Sequence, residues 1–325
     1  MEQRQPPPCA TYVFLLLDGL ALMSLASAIE PLRSCNRLLG HEAYRWVLAS
    51  IGGAPVVASC GIPLGTVPLE AVLDGAEAVF VVGGLRVHPP DERRHLAALR
   101  TAARRGVALG ALSTGTWLLA KAGLLTGCRC TIHWENRPAF TEAFPDLNCT
   151  DRLFEIDRNR LTCSGGTASM DLVLRLIADR HGADLARRVA NQFHHQRIRG
   201  TEDGQRPGRL DHAAGLPSTL AEALRLMGQH IEDPLPISQL ARQAGLSARQ
   251  LERLFLRYAR MPPARYYLAL RVDRARELLT YSDQPLLAVA VASGFASTSH
   301  FSGWFRRFHG MRPSELREQA RRGLA

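Results

Sequence analysis

No uninterrupted apolar run in this chain reaches the eighteen or so residues needed to cross a bilayer. The apolar stretch near the start is broken by Asp18 and Gly19, so no membrane partner is expected. The opening MEQRQPPPCA is polar and proline-rich and lacks the order of a secretion signal, which points to a cytoplasmic protein. Cysteine is sparse, odd in number and scattered: Cys9, Cys35, Cys60, Cys128, Cys130, Cys149 and Cys163. Only Cys128 and Cys130 stand close, and no second pair completes a zinc set. Free thiols in a reducing compartment are expected, with no metal and no cofactor. Lysine is missing from the last third. Leu216 to Ala325 carry 16 Arg against 9 acidic residues, a net of +7 out of +10 for the whole chain.

At 325 residues, 46% hydrophobic and 22% charged, the chain is of ordinary globular composition and long enough for two domains. The basic surplus favours a polyanionic partner, usually nucleic acid. In the first two hundred residues strand-like and helical runs alternate. Tyr12 to Leu17 reads as a buried strand and Leu20 to Leu39 as a helix, with Pro31 marking a kink or a fresh start. Tyr44 to Ile51 and Val56 to Ala58 read as strands, with Gly52-Gly53 between them as a hairpin signal. Ala78 to Val82 is a strand ending on Gly83-Gly84, and Asp91 to Arg105 is helical. Phe154 to Asp157 and Leu161 to Cys163 form a hairpin around Arg158-Asn159, and Gly165-Gly166 lead into the helix Met170 to His181. This alternation predicts an α/β sandwich of flavodoxin-like type, mostly parallel, with its site at the carboxyl ends of the strands.

Residues 1–10 are read as a tail, 11–198 as the α/β domain and 199–218 as a linker rich in glycine, proline and charge. No strand-like run follows, so 219–325 is expected to be an all-helical basic domain. Within it Ile237 to Leu246 is a short helix stopped by Gly245, and Ser247 caps a second, Ala248 to Tyr258. The plan recurs fifty residues on, with Leu287 to Phe295 broken at Gly294 and Ser297 opening Thr298 to His309. A longer helix, Ala264 to Thr280, joins the two units. Each unit is a helix-turn-helix, whose second helix lays its first residues on base edges in the major groove. Those residues are Ser247, Ala248, Arg249, Gln250 and Arg253 in one unit. In the other they are Ser297, Thr298, Ser299, His300 and Ser302, with Arg306 and Arg307 further along. Arginine can hold guanine bidentately and glutamine adenine. Leu251, Leu254, Phe255, Phe301, Trp304, Phe305 and Phe308 have the spacing of core residues.

GFASTSHFSGWFRRFHGMRPSELR and ISQLARQAGLSARQLERLF resemble the two helix-turn-helix motifs of the AraC/XylS family of transcription regulators over Thr219 to Arg317. The resemblance implies double-stranded promoter DNA and RNA polymerase as partners, with the recognition helices in successive major grooves. It also implies a homodimer. Two positions depart from the family: Ala288 stands where an acid is usual and Gly303 where a base is usual. Gly303 removes a phosphate contact and costs the helix about 1 kcal/mol.

Residues 107–122, VALGALSTGTWLLAKA, read as strand, tight turn and helix, the setting in which α/β enzymes place a nucleophile. SLASAIEPLRSCNRL, this elbow, Ile132-His133-Trp134-Glu135 and LTCSGGTASMDLVLRLI resemble the PfpI branch of the class I glutamine amidotransferase-like superfamily over Thr11 to Arg197. Fused to an AraC-type domain, this is the layout of GlxA-type regulators. Enzymes of the superfamily carry cysteine on the elbow, paired with histidine. Here the elbow residue is Ser113, the histidine is His133, and Ala111 replaces the first glycine of a serine-hydrolase elbow. Serine needs a base and the base an orienting acid. Glu135, two residues from His133, is poorly placed to be that acid.

The leading expectation is therefore an effector-responsive activator with a catalytically inactive sensor domain and no enzyme activity. The alternatives are a PfpI-like hydrolase or amidotransferase with an appended DNA-binding domain, and a first domain that only dimerises. The resemblance implies a small nitrogen-containing effector and control of amine or amino-acid catabolism. At the elbow, beside Ser113, the amides of Thr114, Gly115 and Thr116 would offer themselves to a carboxylate at the positive end of the following helix, with Gly83 and Gly84 letting further N–H groups come close. Glu30, Trp117, His133 and Trp134 would face the cationic end. Glu30 is singled out because a carboxylate in an apolar helix stretch requires a partner.

Overall fold

Tyr12, Phe14 and Leu16 point to one face of the first strand and Val13 and Leu15 to the other, and all five are buried. Such a strand belongs inside a parallel sheet covered on both sides by helices. The computed structural model, which describes residues 8–84, 89, 91–200, 203–205 and 216–321, has this form. Two compact units divide the chain, Met1–Gln205 and Arg206–Ala325.

The first unit runs β1 (Ala10–Leu16), α1 (Leu22–Leu39), β2 (Tyr44–Ser50), β3 (Val56–Val57), β4 (Pro63–Leu64), β5 (Val67–Pro68), β6 (Ala78–Val82) and α2 (Glu92–Arg104). It continues through β7 (Ala108–Leu112), a 3₁₀ turn (Ser113–Gly115), α3 (Thr116–Lys121), β8 (Arg129–Cys130), α4 (Arg137–Ala143) and β9 (Asn148–Cys149). β10 (Phe154–Asp157), β11 (Arg160–Cys163), α5 (Ala168–His181) and α6 (Ala183–Gln192) complete it. Seven strands form one sheet in the order β10-β11-β7-β6-β1-β2-β5, parallel except for the edge hairpin β10–β11. Helices α1, α5 and α6 pack together, while α2 packs on α3 and β7. Four central strands finish in register, Leu16 beside Val82, Val82 beside Leu112 and Leu112 beside Cys163. The loops that follow them therefore leave the sheet at one level.

Two local expectations are corrected. Pro31 does not restart a helix: α1 is continuous across it. Pro31 is buried, so packing offsets the lost backbone bond. Gly52-Gly53 do not close a hairpin. β2 is a parallel strand between β1 and β5, and the antiparallel partner of β3 is β4. The two glycines, both at positive φ, carry the chain away from the sheet, and a Cβ at Gly53 would lie 2.7 Å from the Pro68 ring.

The second unit contains α7 (Ser218–Gln229), α8 (Ile237–Gln243), α9 (Ala248–Ala259), α10 (Pro263–Tyr281), α11 (Leu286–Ala292), α12 (Thr298–His309) and α13 (Pro313–Arg321), and no strand among its described residues. Tyr266 and Tyr267 of α10 enter one core with Leu240, Leu251 and Phe255. Val272, Ala275 and Leu279 enter another with Val289, Phe301 and Phe305. One helix about 28 Å long thus holds both helix-turn-helix units. Their turns close alike: Gly245 N–H donates to Arg242 O and Leu246 N–H to Ala241 O, as Gly294 N–H does to Val291 O and Phe295 N–H to Ala290 O. No helix among the described residues is long and apolar enough to cross a membrane.

Most of the expected tail, residues 1–7, and much of the expected linker, 201–202 and 206–215, lie outside the described residues. The described start of that linker is not loose, however. Arg199 is bound to Asp171, Asp203 O accepts from Leu153 N–H, and the Gln205 amide donates to Thr131 Oγ1 (2.8 Å), Ile132 O (2.9 Å) and Arg152 O (3.0 Å). The first unit holds its chain to Gln205 because polar side chains, invisible to composition, tie it down.

Candidate functional site

Ser113 stands at the end of β7 with φ +60, a left-handed conformation that non-glycine residues adopt only under constraint. It is buried at 5% exposure. The constraint is the packing of the four loops that leave the sheet together. A Cβ on Gly83 would lie 2.4 Å from Thr114 Oγ1 and 2.5 Å from Gly115 N. One on Gly84 would strike Gly19 O, and one on Gly165 would come within 2.7 Å of Ser113 Cβ and 2.9 Å of Ser24 Oγ. Only glycines allow this approach. Thr114 Oγ1 donates to Gly84 O (2.8 Å) and Thr116 Oγ1 to Thr131 O (2.8 Å), which ties the elbow to the loop after β6 and to the chain leading to His133.

The structure brings together Gly83, Gly84, Ser113, Thr114 and Gly115, as expected, and adds Ser24. Ser24 is fully buried at the start of α1, and its Oγ accepts from Gly166 N–H (2.8 Å). Glu30, expected to meet the effector's cationic end, is half-buried on α1. Glu30 lies six residues beyond Ser24 on α1, about a third of a helical revolution away from it. It is 43% exposed and pairs with Arg33 at 2.7 Å. Trp117 is core rather than cage, buried and edge-on to Phe140 and Phe144 at ring separations of 5.6 and 5.5 Å. The elbow helix α3 is only six residues long, so its dipole lends an anion little, and Thr116 N–H is turned to Thr114 O.

His133 and Glu135 are closer than their spacing implies. The chain turns at His133, whose carbonyl accepts from Asn136 and Arg137 N–H, and this folds the Glu135 carboxylate to 3.8 Å from His133 Nδ1. The Trp134 ring lies 5.6 Å from the imidazole, and all three residues are half-buried. An acid–histidine pair is therefore present, but no hydrogen bond joins it to Ser113 among the described residues. No cysteine replaces the serine: Cys163, just before Gly165, is fully buried, and burial pushes its thiol up to about 12.

Sequence reasoning missed Asp171. This carboxylate is fully buried on α5 and accepts from Arg199 N–H (2.8 Å), Arg199 Nε (2.9 Å) and Arg199 Nη2 (2.7 Å), with His195 Nε2 at 2.7 Å. Arg199 also reaches Thr167, beside the Gly165-Gly166 loop (2.8 Å). The signal was in the sequence, an acid inside MDLVLRLI, the pattern that had drawn attention to Glu30 instead.

In the helical unit Ala248, Arg249, Gln250 and Arg253 are exposed on α9, and Arg257 continues their stripe one turn on. Ser247 caps α9 in a reciprocal box: its Oγ accepts from Gln250 N–H (3.2 Å) and its N–H donates to Gln250 Oε1 (2.8 Å). A bidentate adenine contact by Gln250 would have to break this box. On α12, Ser297 caps through His300 N–H, Ser299 and His300 are exposed, and Thr298 and Ser302 half-buried. His300 Nε2 accepts from Trp304 Nε1 (2.9 Å), which leaves Nδ1 as the ring's donor. Arg307 lies over Trp304 at 5.3 Å. Arg306 lines an open cavity of about 260 Å³ with Ser302, Gly303, Arg312 and Ser314. The half-buried Arg271 of α10 donates to Ser293 O (3.1 Å) and Gly294 O and stacks on Phe295 at 4.5 Å, which fixes the second turn. Leu251, Phe255, Phe301 and Phe305 are fully buried, as their spacing requires.

The sequence matches the DJ-1/PfpI family over residues 11–179 and a helix-turn-helix domain over 240–319. It is 45% identical to the HTH-type transcriptional regulator GbdR of Pseudomonas aeruginosa, over 94% of this chain and 83% of that one. It is 38% identical to the HTH-type transcriptional regulator GlxA of Rhizobium meliloti, over 94% and 95%. A crystal structure of an AraC family transcriptional regulator from Pseudomonas putida covers 57% of this chain and 99% of its own, at 30% identity and a TM-score of 0.53. Whole-length relatives are thus named regulators, and the hydrolase alternative is not favoured. Fold, paired helix-turn-helix units and relatives agree: the chain belongs to the DJ-1/PfpI family in its α/β unit and, as a whole, to the AraC-type helix-turn-helix transcription regulators of the GlxA kind.

Proposed function

We propose that this regulator is an effector-responsive activator whose elbow binds a small nitrogen-containing metabolite: an amino acid, a betaine or a related amine. One observation carries the reading. Ser113 keeps a strained left-handed backbone, locked by four glycine-lined loops, while no base is hydrogen-bonded to its hydroxyl among the described residues. Backbone strain of this kind costs about 1–2 kcal/mol and gathers at ligand clamps and active sites. In this reading the clamp serves binding. Ser24, Ser113 and the elbow amides would hold a carboxylate by direct hydrogen bonds. Glu135 and the Trp134 face would take the cationic end, in place of Glu30.

The exposed arginines of α9 and α12 read promoter DNA in this proposal. Arg249 and Arg253 are free to meet base edges, and the Arg306–Arg312 cavity, edged by Ser302 and Ser314, suits a phosphodiester. A homodimer would present four recognition helices, and RNA polymerase would be its partner at an activated promoter. The effector acts only if it binds the two states of the sensor with different affinity. The test is fluorescence anisotropy on DNA upstream of the regulator's own operon, with and without a panel of amines and amino acids. A ligand that shifts the midpoint severalfold supports the proposal. A midpoint indifferent to the whole panel at millimolar concentration removes the effector from it.

A further inference from the structure

Two thiols face each other away from the elbow. Cys130 of β8 and Cys149 of β9 are directly paired across a parallel two-stranded ladder, where neighbouring backbones run about 4.8 Å apart. That spacing lies inside the range of Cα separations that a disulfide bridges. The Cys149 thiol also lies 3.8 Å from Thr150 O, its one hydrogen-bond acceptor among the described residues. Cys130 is fully buried, and the neighbouring Cys149 sulfur together with burial raises its thiol above the ordinary range. The neighbouring Cys130 thiol and the Arg137 guanidinium hold the Cys149 thiol below its ordinary range. Cys149 is half-buried, so a small oxidant reaches it first. The third cysteine nearby, Cys128, is occupied otherwise, its sulfur taking a hydrogen bond from Arg158 Nη2 (2.9 Å). No group of three or more His, Cys, Asp and Glu side chains among the described residues is placed to hold a metal ion, so the pair's chemistry is that of thiols.

We propose that Cys130 and Cys149 are a redox-modification site, closing to a reversible disulfide when the protein meets hydrogen peroxide. The Cys149 thiolate attacks a peroxide oxygen, the O–O bond breaks and Cys149 becomes a sulfenic acid. The hydroxide that leaves takes the Cys130 proton and becomes water. The Cys130 thiolate then attacks the sulfenic sulfur, the S–S bond forms, the S–O bond breaks and the second hydroxide takes up the proton that Cys149 had lost. Two thiols and one peroxide give one disulfide and two waters. A low-ionising thiol beside a resolving one is the arrangement that favours this course over further oxidation. The site is well placed to be felt elsewhere. Thr131, next to Cys130, takes the Thr116 hydroxyl of the elbow helix on its carbonyl and the Gln205 amide on its own hydroxyl.

The test is thiol mapping of the full-length protein after brief hydrogen peroxide, with alkylation under denaturing conditions. Residues 130–152 form one tryptic peptide, because Arg137 precedes proline, while Cys128 ends in another. The expected result is that this peptide loses two alkylation sites and two hydrogen atoms, and that dithiothreitol restores both. The loss should precede oxidation of the exposed Cys9 and Cys60. Cys149→Ser and Cys130→Ala should each abolish it, and the mapping of the unaltered chain stands even if a variant folds poorly. A Cys128–Cys149 crosslink, a Cys149 that goes to sulfinic acid unpaired, or a pair still reduced after Cys9 and Cys60 are oxidised would each overturn the proposal.

Discussion

Gly165→Ala places a methyl group into the tightest point of the candidate site. The new Cβ would sit 2.7 Å from Ser113 Cβ, 2.9 Å from Ser113 Cα and 2.9 Å from Ser24 Oγ. Carbon atoms prefer 3.5–4.0 Å, so about 1 Å of movement is demanded of a buried backbone. Overpacking of this kind costs about 1–3 kcal/mol. The φ of +91 adds about 1–2 kcal/mol for any residue with a side chain. The sum is about 2–5 kcal/mol. The next residue supplies the control. Gly166 is also left-handed, at φ +57, but its added Cβ meets nothing within 4 Å, so Gly166→Ala should lose only the backbone part, about 1 kcal/mol. Urea unfolding of the full chain followed by tryptophan fluorescence reads the difference, since Trp46, Trp117 and Trp134 all lie in the α/β unit. Equal losses in the two variants would refute the claim that Ser24, Ser113 and Gly165 are in contact, and the clamp with it.

Arg249→Ala should weaken specific DNA binding by about 1–3 kcal/mol and relax the preference at one base pair, and binding curves at several salt concentrations separate this from a phosphate contact, which would flatten the salt slope on all sequences alike. Asp171→Asn should cost the α/β unit about 3 kcal/mol, the low end for a broken buried ion pair because Arg199 is about a third exposed and can turn to water. It should also speed tryptic cleavage at Arg197 and Arg199 under native conditions, and unchanged cleavage would show that the carboxylate does not tether the segment. His95 is held below its ordinary pKa chiefly by burial, so the unfolded chain takes up its proton first. Its contribution is therefore full above about pH 6.5 and lost as the pH falls below it. Urea midpoints at about pH 8 and about pH 5.5 should converge in His95→Gln.

Periodicity and turn chemistry carried most of the architecture. The alternation of Tyr12 to Leu17, the Gly83-Gly84 stop and the hairpin at Arg158-Asn159 are local signals, and the backbone obeys them. So are Gly245 with Ser247 and Gly294 with Ser297, whose turns close with the same hydrogen bonds. What failed depended on partners distant in sequence. Gly52-Gly53 looked like a hairpin because nothing local says that β2 pairs with β1 and β5. Glu30 and Asp171 are both acids in apolar helices, and only the packing of α1 and α5 decides which one is buried. Ser24 is a small polar residue among apolar ones, and its role rests on a glycine more than a hundred residues away. The elbow was legible as a strand–turn–helix, but the strain at Ser113 was not.

The central claim is that the elbow binds and does not turn over. Titration calorimetry of the full-length protein with amines, betaines and amino acids tests it in one measurement, because binding and catalysis leave different heat traces. The account predicts a saturable heat with one ligand of this class, returning to baseline after each injection and lost in Gly165→Ala. A steady heat that persists after each injection and disappears in Ser113→Ala would make the domain an enzyme. No heat from any compound up to millimolar concentration would leave the α/β unit without the ligand that the account requires.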